Sequence, residues 1–289
     1  MAAQFFSSLA DNALLVAAIA LLMQADAPSW MTPYLKFFFV VSYVLLAPYV
    51  GAFADRFPKG HVMFVANTIK IGGCILMLWG TDPLVAYAVV GLGAAAYSPA
   101  KYGIVPEYLP PRQLVAANGW IEGLTVASIL LGTVLGGILI HARVSGVLLH
   151  LDMPGIDTPI DTPAEAAIAV VVVVYAVAAI FNLNIPRTGV AMKPLPAHPL
   201  DTLKDFTRCV GHLWRDRLGQ ISLAVTTLFW GAGATLQFIV IEWARTALNF
   251  DLSRAAILQG VTAFGVAIGA VLASLWVSLD RAVRVIPIG

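Results

Sequence analysis

Charge is scarce in this sequence of 289 residues. Lys, Arg, Asp and Glu together account for 11% of the residues, hydrophobic residues account for 60%, and the mean hydropathy is +0.85. A water-soluble domain carries about 25% charged residues, so most of this chain has lipid or protein around it. The formal net charge of +1 argues against a nucleic-acid partner, because phosphate neutralisation requires an excess of Lys and Arg.

Motifs that carry enzymatic chemistry are also missing. The sequence has no phosphate-binding G-x-x-x-x-G-K-[ST], no H-E-x-x-H and no G-x-S-x-G. None of its five histidines is followed by Asp at the H-x4-D spacing of lipid acyltransferases. The two cysteines, Cys74 and Cys209, form no C-x-x-C pair and are interpreted as free thiols. We therefore expect no enzymatic activity, no cofactor and no metal site.

The first apolar run lacks the features of a cleavable signal peptide. No positively charged segment precedes residues 4–23, and Asp11 and Asn12 interrupt the apolar core. The small residues at 25–27 imitate a cleavage site, but a signal peptide does not tolerate such a polar pair well. The run is therefore predicted to be a retained helix.

Long apolar runs are what the sequence has in abundance. Each of eight runs is long enough to cross a bilayer as a helix. The sixth is rich in β-branched residues, but an isolated strand in lipid would leave its backbone groups unpaired, so a helix is predicted there too. The predicted fold class is an all-α membrane protein. Its expected spans are roughly residues 2–23, 33–53, 62–79, 84–102, 116–140, 164–185, 221–244 and 255–279.

The distribution of Lys and Arg predicts the topology. The connections after the second, fourth, sixth and eighth helices hold most of these residues, which predicts that both ends of the chain are cytoplasmic. The stretch 186–219 is the longest polar segment, and its second half spaces apolar residues as in an amphipathic helix on the membrane surface. We therefore divide the chain into a six-helix half (1–186), a cytoplasmic basic loop (187–219) and two further helices (220–289).

A short charged segment separates the second and third helices. It reads Gly51-Ala-Phe-Ala-Asp55-Arg56-Phe-Pro-Lys59-Gly60, and its proline and final glycine favour a loop of about ten residues at one membrane surface. The segment is similar to the signature between the second and third helices of major facilitator transporters. The alternative is an ordinary basic hairpin in which the acidic residue offsets two cations. The similarity implies a conformational gating role for Gly51, Asp55, Arg56, Lys59 and Gly60.

Polar side chains inside the apolar runs mark candidate sites, because such residues are costly in a bilayer and usually face the bundle interior. The candidates are Asp11, Asn12, Asn67, Lys70, Lys101, Asn118 and Glu122. Asn67 and Lys70 are three residues apart and so share a helix face. One hypothesis is a polar cavity that binds a headgroup or a coupling ion. The other is that the lysines pair with the carboxylates and fix the helix packing.

Small residues cluster in the fourth and fifth helices. The segment Gly91-Leu-Gly-Ala-Ala-Ala96 imitates a dinucleotide-binding fingerprint, but no strand precedes it. It is interpreted as a small-residue face that lets helices pack closely. Gly123, Gly132 and Gly136 have a spacing that resembles the fifth helix of facilitator-family antiporters, although Gly137 stands where those have proline. Close packing is the simpler interpretation of these glycines.

Three stretches together resemble one family. Residues 4–15 contain the Asp-Asn pair, residues 51–63 contain the charged segment, and residues 97–103 read Tyr-Ser-Pro-Ala-Lys-Tyr-Gly. The chain resembles the bacterial lysophospholipid transporter family of major facilitators. The resemblance implies movement of lysophospholipids, chiefly lysophosphatidylethanolamine, across the bacterial inner membrane to the cytoplasmic leaflet. It also implies a partner acyl-carrier-protein synthetase and acyltransferase that re-acylates them, with membrane lipids around the protein.

Other interpretations stay open at this point. A facilitator that exports drugs or other small molecules would have the same helix pattern, whereas a membrane-embedded lipid acyltransferase is disfavoured by the missing H-x4-D. The resemblance implies two six-helix halves, and Asp280-Arg281 follows the eighth helix as Asp55-Arg56 follows the second. We therefore expect this chain to be cut at the start of a ninth helix. The alternative is a natural protein with eight helices.

Overall fold

Helices make up the regular structure in the computed structural model, which describes residues 1–149, 160–186, 189, 190, 192, 198–258, 261, 264, 265 and 268. Residues 252–258 are helical. The helices that precede this segment are α1 (Ala2–Gln24), α2 (Met31–Arg56), α3 (Lys59–Leu78), α4 (Pro83–Tyr108), α5 (Pro111–Leu139), α6 (Ala142–Leu149), α7 (Pro163–Leu183), α8 (Pro199–Arg215) and α9 (Arg217–Ala247).

Seven of these helices are long and apolar enough to cross a membrane, namely α1, α2, α3, α4, α5, α7 and α9. The prediction of an all-α, multi-pass membrane protein is therefore confirmed. Seven of the eight predicted spans coincide with these helices. The eighth, 255–279, lies largely outside the described residues, although its first part, 255–258, is helical.

Proline and capping residues determine where several helices begin. α4, α5, α7 and α8 each have proline in the first turn, where the missing backbone N–H breaks no intrahelical hydrogen bond. The Asp82 carboxylate accepts hydrogen bonds from the first backbone N–H groups of α4. Thr162 and Glu165 form a capping box at the start of α7. These side chains satisfy backbone donors that the helix itself leaves unpaired.

α1 is the central helix of the bundle, and most of its residues from Ala10 to Ala20 are buried. It packs mainly against α5 and α7, whereas α4 packs mainly against α2 and α3. α3 also packs along α7. Some helices that are consecutive in the sequence, such as α1 and α2, make little contact with each other, whereas α3 and α4 pack closely. The order of packing in the bundle therefore differs from the order of the chain.

This packing has an internal twofold pattern. When the first three spans (α1, α2, α3) are exchanged with the next three (α4, α5, α7), the α1–α5 contact becomes the α4–α2 contact. In the same way the α1–α7 contact becomes the α4–α3 contact. Because each unit has three spans, the second unit enters the membrane from the opposite side. The six helices therefore form an inverted repeat of two three-helix units.

Three details differ from the sequence predictions. The predicted loop of ten residues is wrong in length, since α2 continues to Arg56 and α3 begins at Lys59, so its charged residues lie within helix ends. α4 continues through Pro106 to Tyr108 instead of ending near residue 102, which neighbouring helices permit in a membrane bundle. Residues 142–149 form α6 rather than a loop, because Val144 and Leu148 pack against the core.

The last described helices lie at the periphery. α8 has no buried residue, and its apolar side chains, among them Leu200, Phe206 and Trp214, are exposed, as expected of the predicted amphipathic helix. α9 buries three of its 31 residues. After α9 the chain returns to α5, where the Ser253 hydroxyl donates to the carbonyl of Gly137 (2.7 Å). This contact requires a small residue, since a Cβ on Gly137 would lie 3.0 Å from the carbonyl oxygen of Ser253.

Candidate functional site

A buried ion pair joins α1 to α3. The ammonium Nζ of Lys70 lies 2.8 Å from Oδ1 and 2.9 Å from Oδ2 of Asp11. The Lys70 side chain is 1% exposed, whereas that of Asp11 is 22% exposed. The lysine is therefore enclosed by protein, and the carboxylate is the member of the pair that another molecule can reach.

Hydroxyl and amide groups extend this pair into a network. Lys70 donates to Oγ of Ser7 (3.1 Å), and Ser7 donates to Oδ1 of Asn67 (2.8 Å). From α7, the hydroxyl of Tyr175 donates to Oδ1 of Asp11 (2.7 Å). Three helices, α1, α3 and α7, thus contribute to a single polar cluster within the apolar bundle.

Two aromatic rings also help to offset the cost of burying the charge of Lys70. Its ammonium lies 5.2 Å from the ring centroid of Tyr97 and 5.4 Å from that of Tyr175, which is within the range of cation–π attraction. A buried charge needs such partners because its desolvation is costly. The cluster therefore ties three helices together while both charges remain paired, and a ligand that competes for Asp11 would loosen it.

A second polar group lies farther along α4. The hydroxyl of Tyr102 donates to Oε1 of Glu122 in α5 (2.8 Å), and the ammonium of Lys101 lies 4.3 Å from the ring centroid of Tyr102. Within the described part of the chain, Lys101 forms no salt bridge. The Glu122 carboxylate attracts the Lys101 ammonium without forming a direct ion pair, so this charge can also attract a negatively charged ligand.

A cavity of about 290 Å³ lies at the end of the bundle where α1 and α3 begin and where α4 and α7 end. Its polar lining includes Gln4, Tyr97, Lys101 and Asn182, and most of the remaining lining is apolar. Asn182 is 0% exposed and Tyr97 is 5% exposed. Among the described residues, neither the side-chain amide of Asn182 nor the hydroxyl of Tyr97 makes a hydrogen bond of good geometry, although these two groups lie near each other. Buried polar groups usually have such partners.

The junction of α2 and α3 is organised by Lys59. Its side chain is 6% exposed, and its ammonium lies 2.7 Å from Oδ1 of Asp55 and 3.6 Å from Oε1 of Glu107 in α4. It also donates to the carbonyl of Ala54 (2.8 Å). This single lysine therefore connects the last turn of α2 with the last turns of α4.

The other predicted residues of this junction differ in their surroundings. Gly60 packs so closely against α7 that a Cβ would lie 2.7 Å from the carbonyl oxygen of Asn182. Gly51 has open space around it, and Arg56 is exposed on the last turn of α2. Gly60 and Lys59 therefore make the contacts between helices, whereas Gly51 and Arg56 lie at the surface.

The predicted binding residues divide into separate places. The structure brings together Asp11, Asn67 and Lys70 in one cluster, and Lys101 and Glu122 around the ring of Tyr102. Two others join neither group. Asn12 donates to the carbonyl of Ser8 within α1 (2.8 Å), and Asn118 is exposed on α5.

Sequence reasoning missed several residues of these sites, among them Ser7, Tyr97, Tyr102, Tyr175 and Asn182. Ser7 lies four residues before Asp11, so helical spacing alone puts both on one face and was a usable signal. The others come from α4 and α7, far from Asp11 in the sequence, and no local pattern connects them with it.

Comparisons with known proteins identify relatives of this chain. A sequence profile described as Major Facilitator Superfamily matches residues 1–288. Proteins named Lysophospholipid transporter LplT from Yersinia pestis (strain Pestoides F) and Yersinia pseudotuberculosis serotype I (strain IP32953) are each 42% identical over 290 aligned residues. The alignments cover 100% of this chain and 66% of each relative, so the chain spans less than two thirds of the length of these curated relatives.

A solved structure has a similar fold. It is a bacterial homologue of the human lysosomal transporter Spinster, in an inward-facing and unoccupied conformation, and it aligns with a TM-score of 0.63 and 19% identity. The alignment covers 95% of this chain and 62% of that one. At this level of identity the similarity concerns the fold alone.

Proposed function

The chain belongs to the major facilitator superfamily, and on this basis we propose that it moves lysophospholipids, chiefly lysophosphatidylethanolamine, across a bacterial inner membrane to the cytoplasmic leaflet. The observation that carries the proposal is the 42% identity, over the whole chain, to Yersinia relatives named lysophospholipid transporters. Because the chain spans 66% of those relatives, the proposal concerns the protein to which these helices contribute.

The chemistry of the polar sites supports this cargo. A lysophospholipid has one acyl tail and a zwitterionic or anionic headgroup, so a carrier needs apolar surface beside a few charges of both signs. Asp11 is the accessible member of its ion pair and can accept hydrogen bonds from an ethanolamine ammonium. Lys101, which forms no salt bridge within the described residues, can attract a phosphate.

The gating role proposed for the α2–α3 junction rests on the contacts of Lys59. This lysine connects the ends of α2 and α4, which belong to different units of the inverted repeat. Alternating access in such proteins proceeds by rigid rocking of packed units around a central site. We propose that the junction keeps the ends of α2 and α4 together, so that they move as one body when this end of the bundle opens or closes. It does not bind cargo itself.

The orientation and the later fate of the cargo are part of the proposal. Basic residues at the α2–α3 junction and on α8 support a cytoplasmic position for that face, with both ends of the 289-residue chain on the same side of the inner membrane. The chain itself performs no chemical step. We propose that an acyl-carrier-protein synthetase and acyltransferase re-acylates the delivered lysolipid.

Uptake of radiolabelled lysophosphatidylethanolamine by spheroplasts that lack their own transporter tests this function. Two proteins are compared: the 289-residue chain, and a chimera in which it replaces the matched segment of the Yersinia pseudotuberculosis relative. We expect uptake by the chimera, above that of spheroplasts carrying an empty vector. The control is the same chimera with Asp11→Lys, which places two cations where an ion pair stood.

The outcomes separate the candidate functions. Uptake by the chimera and not by its Asp11→Lys variant supports lysolipid transport. No uptake by a chimera that is present in the membrane contradicts it, and altered drug sensitivity of the same cells would then favour the small-molecule exporter. Formation of diacyl lipid by the purified chain from lysolipid and an acyl donor would instead establish an acyltransferase.

A further inference from the structure

We propose that the cavity at the ends of α4 and α7 is a binding site for the phosphate-bearing headgroup of the lysolipid, with Tyr97 and Asn182 as its hydrogen-bonding residues. This inference rests on the proposed function and says where the protein binds the headgroup during transport. The site lies at the end of the bundle where α2 joins α3, which is the face proposed to meet the cytoplasm. The cavity is therefore at the end of the route along which the headgroup is delivered.

The unpaired polar groups are the reason for assigning a ligand. Asn182 and Tyr97 line the cavity, both are more than nine-tenths buried, and neither completes a hydrogen bond of good geometry within the described residues, although the Asn182 amide lies near the Tyr97 hydroxyl. A buried donor or acceptor without a partner costs stability. Two such groups beside the same cavity are accounted for if a bound molecule supplies the partners.

The donors and acceptors match a zwitterionic headgroup. The Tyr97 hydroxyl can donate to a phosphate oxygen, and the Asn182 amide offers two N–H donors and one acceptor oxygen. Lys101, which also lines the cavity, supplies positive charge toward the phosphate. The acceptor oxygen of Asn182 can in turn bind an ethanolamine ammonium, so one set of side chains serves both charges.

The size of the cavity fits a headgroup and not a whole lipid. Pockets for drug-sized ligands measure about 300–1,000 Å³, and this cavity of about 290 Å³ lies at the lower limit. Its apolar wall includes Ile104, Ile121 and Ile185. The acyl chain must therefore continue beyond the cavity, along apolar helix surface, while the headgroup occupies the polar end.

The test uses the chimera described above, purified in detergent, and two substitutions that remove polar atoms with little change in volume, Tyr97→Phe and Asn182→Leu. Matched controls make the same changes at exposed positions, Tyr49→Phe and Asn184→Leu. Binding and thermal unfolding are measured with lysophosphatidylethanolamine, with a monoacylglycerol of the same acyl chain that lacks the phosphate, and with inorganic phosphate.

We expect each cavity variant to bind lysophosphatidylethanolamine about tenfold more weakly, as for loss of a hydrogen bond to a charged group, with monoacylglycerol binding unchanged. Without ligand, the same variants should unfold at an equal or higher temperature than the unsubstituted chimera, because a buried group without a well-made hydrogen bond has been removed. The controls should change neither quantity. A purely structural role for Tyr97 and Asn182 predicts the opposite effect on the unfolding temperature.

The remaining outcomes distinguish this inference from the function on which it rests. If the unsubstituted chimera binds lysophosphatidylethanolamine and both cavity variants bind it equally well, the headgroup site is overturned and the proposed function stands. If inorganic phosphate protects the chimera as strongly as the lysolipid does, the cavity is a site for free anions and the lipid assignment is wrong. If the unsubstituted chimera does not bind the lysolipid, the proposed function fails and the inference fails with it.

Discussion

Asp11 and Lys70 raise the question of whether an intramembrane ion pair serves packing, transport or both. The pairing itself was one of the two possibilities raised by the sequence, and the distances of 2.8 and 2.9 Å show that it is made. Removing one partner of a buried pair leaves an uncompensated charge and costs about 3–5 kcal/mol, whereas replacing both is often neutral. This asymmetry allows the two roles to be separated experimentally.

The first prediction concerns this pair. Asp11→Asn and Lys70→Met should each lower the free energy of unfolding in detergent by about 3 kcal/mol, the lower end of the range for buried pairs, because Asp11 is 22% exposed. The double variant should recover to within about 1 kcal/mol of the original chain. Denaturant unfolding monitored by tryptophan fluorescence measures all three.

The control for the ion pair is Thr68→Ala, an exposed change in the same turn of α3, which should have little effect. Losses in the two single variants that simply add in the double variant would contradict the pairing. Uptake assays in the chimera then assign the role. A stable double variant without lysolipid uptake shows that the charges act in transport, and one with uptake shows that they act in packing.

At the scale of residues, the sequence predicted which polar side chains belong to the sites better than it predicted which of them contact one another. Helical spacing correctly put Asn67 and Lys70 on one face, but it could not distinguish Lys70 from Lys101 as the partner of Asp11. That choice depends on where the ends of the long side chains reach, because α1 makes little backbone contact with α3 and yet the Lys70 ammonium lies 2.8 Å from Asp11. Tyr175 was missed for the same reason, since its hydroxyl reaches Asp11 from 164 residues away.

Among the helices, the α2–α3 junction depends on one cation. Lys59→Met should destabilise the chain by about 2–3 kcal/mol, because it removes a buried ammonium that contacts two carboxylates and a backbone carbonyl. Arg56→Met, three residues earlier and exposed, should change stability by less than about 0.5 kcal/mol. Thermal unfolding of both variants checks this, and equal effects would rule out the special role of Lys59.

Substitution by alanine is predicted to have opposite effects on stability at two glycines, one of which lies where α4 packs closely on α2. A Cβ on Gly91 would lie 2.6 Å from the carbonyl oxygen of Phe39, whereas a Cβ on Gly72 would have nothing within 4 Å. Gly91→Ala should therefore cost about 1–3 kcal/mol by overpacking. Gly72→Ala should be neutral or stabilising by up to about 1 kcal/mol, because alanine favours helix. Unfolding measurements on the two variants would contradict this if both changed stability in the same direction.

The helices themselves were largely predictable, and their ends were not. Hydropathy sets the existence of a span because unpaired backbone is excluded from lipid, and seven spans were found correctly on that basis. The ends depend on whether charged residues leave the helix or remain in its last turn. At Asp55 and Arg56 they remain, and Lys59 begins the next helix, which made the connection far shorter than ten residues.

For the molecule as a whole, the two cysteines provide a test of orientation. Cys209 is exposed on α8, whereas Cys74 is buried in α3. If α8 lies in the cytoplasm, a membrane-impermeant maleimide should label the chain in inverted vesicles and leave it unlabelled in intact spheroplasts. Cys209→Ser should abolish labelling in both preparations. Labelling in intact spheroplasts would reverse the proposed orientation.

The inverted repeat is a property of the whole molecule that the local sequence did not show. The helix packing gives it a physical description, with α1 and α4 in equivalent positions. The equivalence of the two units lies in which helices touch, and side-chain patterns along single helices do not contain that information.

The ion pair between α1 and α3 also has a consequence for synthesis of the chain. Lys70 follows Asp11 by 59 residues, and ribosomes add about 5–20 residues per second, so α1 exists for roughly 3–12 s before its cation has been made. During that interval an acidic group must be accommodated in or beside the bilayer without its partner. The contact between these two helices is therefore a late step of biogenesis, made only after both have been synthesised.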